Sequence, residues 1–201
     1  MQHSTSSRKM QGKDLITVGI FSAIYFVVNF IFMVSGGIHP ILWILMPGTI
    51  ALFAGVPYML MIAKVQKPGA VFLMGLITGL IYFATGQFTV VILVFMVVSC
   101  FLAELTRYLT KYNSLSGNYL SYIFFSYGMV GSPLPIWLFK ESFLAQISEQ
   151  GLPADYVAAV EALSSNWMLI VLFVAPAVGA IIGAIIARAL FKKHFEKAGI
   201  V

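Results

Sequence analysis

Residues 166–190 read NWMLIVLFVAPAVGAIIGAIIARAL, and this stretch decides the class of fold. Its only charged residue is Arg188, close to the end of the run. A helix rises about 1.5 Å per residue and the hydrocarbon core of a bilayer is about 30 Å thick, so the run predicts a helix that crosses a membrane. Basic residues follow at Lys192, Lys193 and Lys197.

The rest of the chain repeats this pattern. Of its 201 residues, 60% are hydrophobic and 9% are charged, whereas a soluble domain carries about 25% charged residues. We expect an all-α integral membrane protein with one membrane domain, residues 15–190, between an N-terminal segment, 1–14, and a tail, 191–201. The apolar runs predict six transmembrane helices, at about 15–34, 40–64, 70–84, 88–109, 119–139 and 166–190.

The basic residues predict the orientation of the chain. Of 12 Lys and Arg residues, all but Lys140 lie before the first predicted span, at 64–67, at 107–111, or from 188 onward. Short cytoplasmic loops are enriched in Lys and Arg. We therefore expect both termini in the cytoplasm and residues 140–165 outside. The net charge of +5 is explained by these orientation signals and by contacts with membrane lipid, so no nucleic-acid partner is expected.

Two predicted spans carry helix-breaking residues. The second contains Pro47-Gly48 and Gly55-Val56-Pro57, and the fifth contains Ser132-Pro133-Leu134-Pro135 near its outer end. Proline removes a backbone donor, so we expect these spans to be bent or broken. Residues 140–165 hold apolar side chains at helical spacing on either side of Gly151-Leu152-Pro153, which predicts two short amphipathic helices on the outer surface. Together these features predict an outward-facing pocket under a lid.

The sequence has no recognisable catalytic or metal-binding motif. It lacks H-E-x-x-H, G-x-S-x-G and a P-loop, and it has a single cysteine, Cys100. We expect no enzyme activity, no metal and no cofactor. Glu104 and Arg107 are three residues apart and are expected to form a structural pair on one helix face.

Candidate substrate-binding residues cluster toward the predicted outer face. Asn29 fits either a ligand contact or an interhelical hydrogen bond. The three tryptophans fit either ring stacking on a ligand or an interfacial aromatic belt. The polar residues there fit ligand binding as well as ordinary solvation of helix ends. The full set comprises Asn29, His39, Trp43, Tyr82, Gln87, Trp137, Lys140, Asn166 and Trp167.

Charge on the outer side bears on the ligand. Lys140 is the only base there, among the acids Glu141, Glu149, Asp155 and Glu161. A strongly anionic substrate would be repelled unless Lys140 bound it, so a neutral or cationic ligand is favoured.

Small residues recur on the first and last predicted spans. Gly19 and Ala23 are four apart, as are Gly179 and Gly183. Such stripes allow helices to approach closely in lipid, either within one fold or against a partner.

The chain resembles the substrate-binding S components of energy-coupling factor (ECF) transporters. The resemblance is carried by Lys13-Asp14-Leu15-Ile16, by the small-residue face of Gly19, Ser22 and Ala23, and by the broken second span. The tract 36–40, the break at 46–48 and the long loop before the last span are similar to the Trep-Strep (MptD-like) branch.

This resemblance implies a substrate-capture subunit in the bacterial cytoplasmic membrane. Such a subunit binds a vitamin or related micronutrient from outside and delivers it inward with a membrane T component and two ATPases. It implies that Gly19, Ser22 and Ala23 dock on the T component, and Gly179 and Gly183 are further candidates for that surface. Two other functions are considered, a stand-alone secondary transporter and a small membrane enzyme acting on a lipid-like substrate.

Overall fold

The computed structural model describes residues 9–85 and 89–192, and within them the fold is all-α, with no strand. A 3-10 helix, Tyr127–Gly131, follows the sixth helix. The α-helices in chain order are α1 (Gly12–Ser35), α2 (Pro40–Phe53), α3 (Gly55–Lys64), α4 (Ala70–Ala84), α5 (Val90–Leu109), α6 (Leu115–Ser126), α7 (Pro135–Leu138), α8 (Lys140–Glu149), α9 (Ala154–Ala162) and α10 (Asn166–Leu190).

Three of these helices, α1, α5 and α10, are long and apolar enough to cross a membrane. The pair α2 and α3 counts as a fourth span if its bend of 42° lies within one crossing. Helix α4, with 15 residues, and α6, with 12, are shorter than a usual span. Several apolar helices establish a multi-pass membrane protein, while six spans and the side on which the termini lie stay predictions.

The second predicted span bends at one of its two expected places. Pro47 lies inside a continuous α2, so the break expected at Pro47-Gly48 is absent. The bend falls at Ala54, whose N–H donates to Ile50 O at 2.8 Å and whose carbonyl accepts from Tyr58 N at 3.1 Å. Pro57 stands in the first turn of α3, where its missing N–H leaves no gap in the helix.

The fifth predicted span differs from expectation at both ends. Helix α6 begins at Leu115, because the Ser114 hydroxyl caps it by accepting from Gly117 N at 3.2 Å, so the expected loop at 113–118 is shorter. The helix ends at Ser126 and the chain continues as the 3-10 helix and the short α7, which starts at Pro135. The expected span over 119–139 is therefore broken well before its prolines.

Helix α10 packs on α2 and α3 through a seam of glycines. A Cβ added to Gly179 would meet the Gly48 carbonyl oxygen, and one added to Gly183 would meet the Leu52 carbonyl oxygen at 2.5 Å. A Cβ on Gly55 would meet the backbone of Gly183 at 2.5 Å. Backbone thus lies against backbone, which only glycine permits here. Gly179 and Gly183 are buried within the fold, which leaves them no free surface for a partner.

The two ends of the bundle differ in chemistry. The end that carries Lys64, Lys67, Arg107 and Lys111 is called the basic end, and the end that carries α8 and α9 is called the loop end. At the basic end the Glu104 carboxylate accepts from Gly69 N at 2.8 Å and Val71 N at 3.2 Å. It therefore caps the N-terminus of α4, where a negative charge is favoured.

Arg107 caps the opposite kind of helix terminus, the C-terminus of α3. Its guanidinium is fully buried, donates to Ile62 O at 3.3 Å and to Val65 O at 3.1 Å, and lies 5.0 Å from the centre of the Tyr112 ring. A cation at these carbonyls stabilises the C-terminus of α3. Glu104 and Arg107 thus fix the α3–α4 turn from its two sides, and each bonds backbone where a mutual ion pair was expected.

Candidate functional site

A cavity of about 490 Å³ lies at the loop end, between the bundle and the pair α8 and α9. Its walls come from α1, α2, α4, α5, the segment after α6, and both short helices. Cavities of about 300–1,000 Å³ are usual for small-molecule sites. Its lining includes Met33, Trp43, Tyr82, Met129, Phe143 and Tyr156.

Trp43 joins the bundle to the cover. Its ring stacks on Phe143 of α8, with the centroids 5.6 Å apart and the planes 22° apart. Its indole Nε1 donates to Ser132 Oγ at 3.0 Å. The ring is therefore fixed at the cavity wall by one stacking contact and one hydrogen bond, and both partners are uncharged.

Tyr156 of α9 forms the second link between cover and bundle. Its hydroxyl donates to Gly36 O at 2.9 Å, across 120 residues of chain. A tyrosine hydroxyl is protonated at neutral pH and able to donate, and partial burial raises the pKa of Tyr156 further above its ordinary value. This bond ties α9 to the turn that follows α1.

An apolar cluster anchors the cover beside these links. Ile147 of α8 and Val160 of α9 are buried together with Ile44 of α2 and Leu172 of α10. The two amphipathic helices predicted for residues 140–165 are thus present, divided at 151–153 as expected, and their apolar faces pack on the bundle.

The structure brings together only part of the predicted substrate-binding set. Trp43 and Tyr82 line the cavity, and Asn29 is fully buried on α1, one turn before Met33 of the lining. Gln87 lies outside the described residues.

The remaining predicted residues do not line the cavity. His39 is exposed and caps α2, with its Nδ1 accepting from Ile41 N at 3.2 Å. Asn166 and Trp167 are exposed at the start of α10, and Trp167 is 69% exposed.

Trp137 and Lys140 also have partners elsewhere. Trp137 Nε1 donates to Ser165 O at 3.1 Å, and Lys140 Nζ lies 3.6 Å from Glu161 Oε1. These contacts link the ends of the loop to one another and leave the cavity wall to other residues.

Sequence reasoning missed several lining residues. Phe143 and Tyr156 were recognisable as part of the apolar faces of the cover, but their role in the wall was not predicted. Their aromatic character on a helix that covers a pocket was the available signal. Ser132 belongs to the tract whose prolines predicted a break near the pocket, but its own place in the wall was not predicted, and Met129 carried no signal of its own.

The predicted docking residues on α1 are divided between two faces. Ser22 is fully buried and its hydroxyl donates to Val18 O at 2.7 Å, so it belongs to the core. Ala23 is exposed, and apart from its chain neighbours and the backbone of its own helix, no atom lies within 4 Å of the position of a Cβ on Gly19. Gly19 and Ala23 therefore share an open face.

A second concavity of about 310 Å³ lies between α4 and α5. Gly75, Gly79, Met96 and Cys100 line it together with aliphatic and phenyl side chains, so it offers no hydroxyl, amide or charge to a polar ligand. Among the described residues, no group of three or more His, Cys, Asp or Glu is placed to hold a metal ion.

Comparison with known proteins gives one result. No curated protein and no solved structure matches the chain. The sequence model of one family, described as "Hypothetical bacterial integral membrane protein (Trep_Strep)", matches residues 12–197. That range covers nearly the whole sequence and all ten helices, and the chain belongs to the Trep_Strep family of bacterial integral membrane proteins.

Proposed function

We propose that this protein is the substrate-capture subunit of an ECF-type importer. It binds a vitamin or related small micronutrient from outside and delivers it inward with a T component and ATPase subunits, and it catalyses no reaction itself. The proposal depends above all on the covered cavity of about 490 Å³ at the end of the bundle opposite the basic residues. Membership of a bacterial integral membrane family is compatible with this role.

The proposal requires six spans, with the basic end in the cytoplasm and the cavity opening outside. The orientation is tested in a Cys100→Ser background by adding one cysteine at Gln66, in the α3–α4 turn, or at Glu149, at the end of α8. A membrane-impermeant maleimide applied to intact cells is expected to label position 149 and not position 66. Labelling of position 66 from outside would overturn the orientation and the proposed direction of capture.

The proposed partner surface is the open face of α1 around Gly19 and Ala23. A helix of a T component approaches this face closely because the side chains are small. Gly19→Leu with Ala23→Leu is expected to abolish uptake and leave ligand binding unchanged. Ala189→Leu, at an exposed position of α10, is the matched control and is expected to retain uptake. Equal loss of binding and uptake in the double variant would mean that α1 is needed for folding and not for docking.

The decisive experiment is identification of the bound compound. The protein is purified in mild detergent and small molecules are released by heat and read by mass spectrometry, with Trp43→Ala purified in parallel. A compound enriched with the parent and depleted with the variant supports capture at the cavity. That compound is then used for uptake into liposomes, and uptake by the chain alone, without ATPase subunits, would favour a stand-alone transporter. Chemical conversion of the compound would favour an enzyme.

A further inference from the structure

Two buried polar atoms near the cavity have no hydrogen-bond partner within the described chain. They are Asn29 Oδ1 and the Tyr82 hydroxyl, on side chains that are 0% and 1% exposed. An unpartnered buried polar group costs about 1–3 kcal/mol, so each such atom calls for an explanation. Asn29 Nδ2 donates to Tyr25 O at 2.8 Å, and this bond fixes which side of the amide is the free oxygen.

The two side chains lie on helices that pack together, Asn29 on α1 and Tyr82 on α4. Tyr82 lines the large cavity directly, and its ring lies 5.6 Å from that of Phe26, which is close to Asn29 on α1. A third, much smaller cavity of about 10 Å³ lies deeper, against Tyr25 and Thr78. Tyr25 lines this small cavity and Met33 lines the large one, so Asn29, four residues from each along α1, lies between the two cavities, while Tyr82 belongs to the wall of the large cavity itself.

The described wall of the large cavity contains no charged side chain. It consists of aromatic, aliphatic, thioether, hydroxyl and amide groups, with Trp43, Phe143 and Tyr156 toward the cover. An ionised ligand would lose hydration on entry without meeting a counter-charge, which is costly. A flat apolar ring is suited to stacking and to contact with methionines at the same wall.

From these observations we infer that the cavity takes an uncharged ring compound with a neutral amide-type edge. Its N–H donates to Asn29 Oδ1, and its carbonyl oxygen accepts from the Tyr82 hydroxyl. The ring lies toward Trp43 and Phe143. This inference rests on the proposed function and adds the chemical class of the ligand to it.

The test uses three probes with one ring and different edges: indole-3-carboxamide, indole-3-carboxylate and 3-methylindole. Each is titrated by calorimetry into the full-length protein in detergent micelles, with micelles alone as the reference for partitioning. The carboxamide is expected to bind at least about 10-fold more tightly than either of the other two. The carboxylate lacks the donor and carries a charge, and the methyl compound lacks both polar groups on the edge.

Two variants locate the recognition. Tyr82→Phe removes only a hydroxyl, and Asn29→Leu removes the amide at similar volume. Each is expected to weaken carboxamide binding by about 3- to 10-fold and to leave 3-methylindole binding unchanged. Tyr119→Phe, which removes a hydroxyl from the core at the basic end, is the matched control and is expected to bind like the parent.

The outcomes separate the inference from the proposed function. Equal binding of carboxamide and carboxylate, or parental carboxamide affinity in both variants, would overturn the inference, and the second result is the one expected if a buried water bonds both atoms. Failure of all three probes to bind would likewise overturn the ligand class. The capture role stands or falls separately, with the compound that co-purifies with the parent and not with Trp43→Ala.

Discussion

The loop end and the basic end of this bundle are held together by different kinds of contact. At the basic end, charged side chains make the contacts. Glu104 caps the N-terminus of α4 and Arg107 caps the C-terminus of α3. Lys67 Nζ, in the turn between α3 and α4, lies 2.7 Å from Asp14 Oδ2 of α1. At the loop end, neutral groups hold α8 and α9 over the cavity, through the Trp43–Phe143 stack and the bond from Tyr156 to Gly36.

The difference indicates which end is able to move. Hydrogen bonds to charged groups contribute about 1.5–3 kcal/mol and neutral ones about 0.5–1.5 kcal/mol. Opening the cover breaks two neutral links and exposes the apolar side chains of Ile147 and Val160, but it uncovers no charge, whereas separating α3 from α4 exposes a buried guanidinium. The basic end is thus expected to stay fixed while the cover opens, as the proposed capture of a ligand requires.

The largest expected effect follows from breaking the basic end. Arg107→Met leaves two backbone carbonyls and the nearby Glu104 without their cation and is expected to destabilise the protein by about 2–4 kcal/mol. Thermal unfolding in detergent measures this. Arg188→Met, which removes an exposed arginine from α10, is the control. An Arg107→Met melting temperature equal to that of the control would show that the basic end is not the fixed one.

A smaller effect is expected for the ring at the cavity wall. Trp43→Ala removes a stacking surface and is expected to weaken binding of the co-purified compound by about 1–3 kcal/mol, or about 5- to 150-fold. Trp137→Ala and Trp167→Ala are matched controls, since neither ring lines the cavity, and both are expected to bind like the parent. If Trp43→Ala binds the compound as tightly as the parent, the Trp43 ring does not contribute to ligand binding.

The link between α9 and the bundle is expected to be weaker still. Tyr156→Phe removes only the bond to Gly36 O and is expected to ease opening of the cover by about 0.5–1.5 kcal/mol. Amide hydrogen exchange in α9 should accelerate by about 2- to 12-fold, with no change in α4. Tyr108→Phe, at an exposed position of the basic end, supplies the control. Equal acceleration in α4 and α9 would indicate general loosening of the bundle.

The smallest effect is expected for the ion pair of the loop end. Lys140 and Glu161 are 3.6 Å apart, with side chains 44% and 60% exposed. Lys140→Gln is expected to change stability by less than about 0.5 kcal/mol, because water and salt screen an exposed pair. The same thermal unfolding assay measures this. If Lys140→Gln lowered the stability of the protein as much as Arg107→Met does, the two ends would not differ in the strength of their contacts.

Much of the fold was predictable because apolar runs and basic turns are strong signals in a membrane protein. The division of the cover at Gly151-Leu152-Pro153 is confirmed. The prediction of a break at Pro47-Gly48 was wrong. Helix α2 is continuous there, and Gly48 instead allows the backbone of α10 to pack closely against it. Sequence alone does not distinguish a glycine that bends a helix from one that admits a neighbour.

The site was less predictable because helices in lipid are apolar on every side. In α10, Trp167 is 69% exposed and Leu172 is fully buried, although both are large and apolar. The polar contrast that identifies the inner face of a helix in water is missing. Nearness to the predicted outer end therefore selected Trp43 and Tyr82 together with Trp137, Asn166 and Trp167, and only packing separates them.

The glycine seam between α10 and the bent pair α2–α3 has a mechanical consequence. Where backbone meets backbone, no side chain can change rotamer to let one helix slide along the other. The three helices are expected to move as one rigid body. If the protein reorients in the bilayer, these helices would therefore rotate together, and the cavity would move with them.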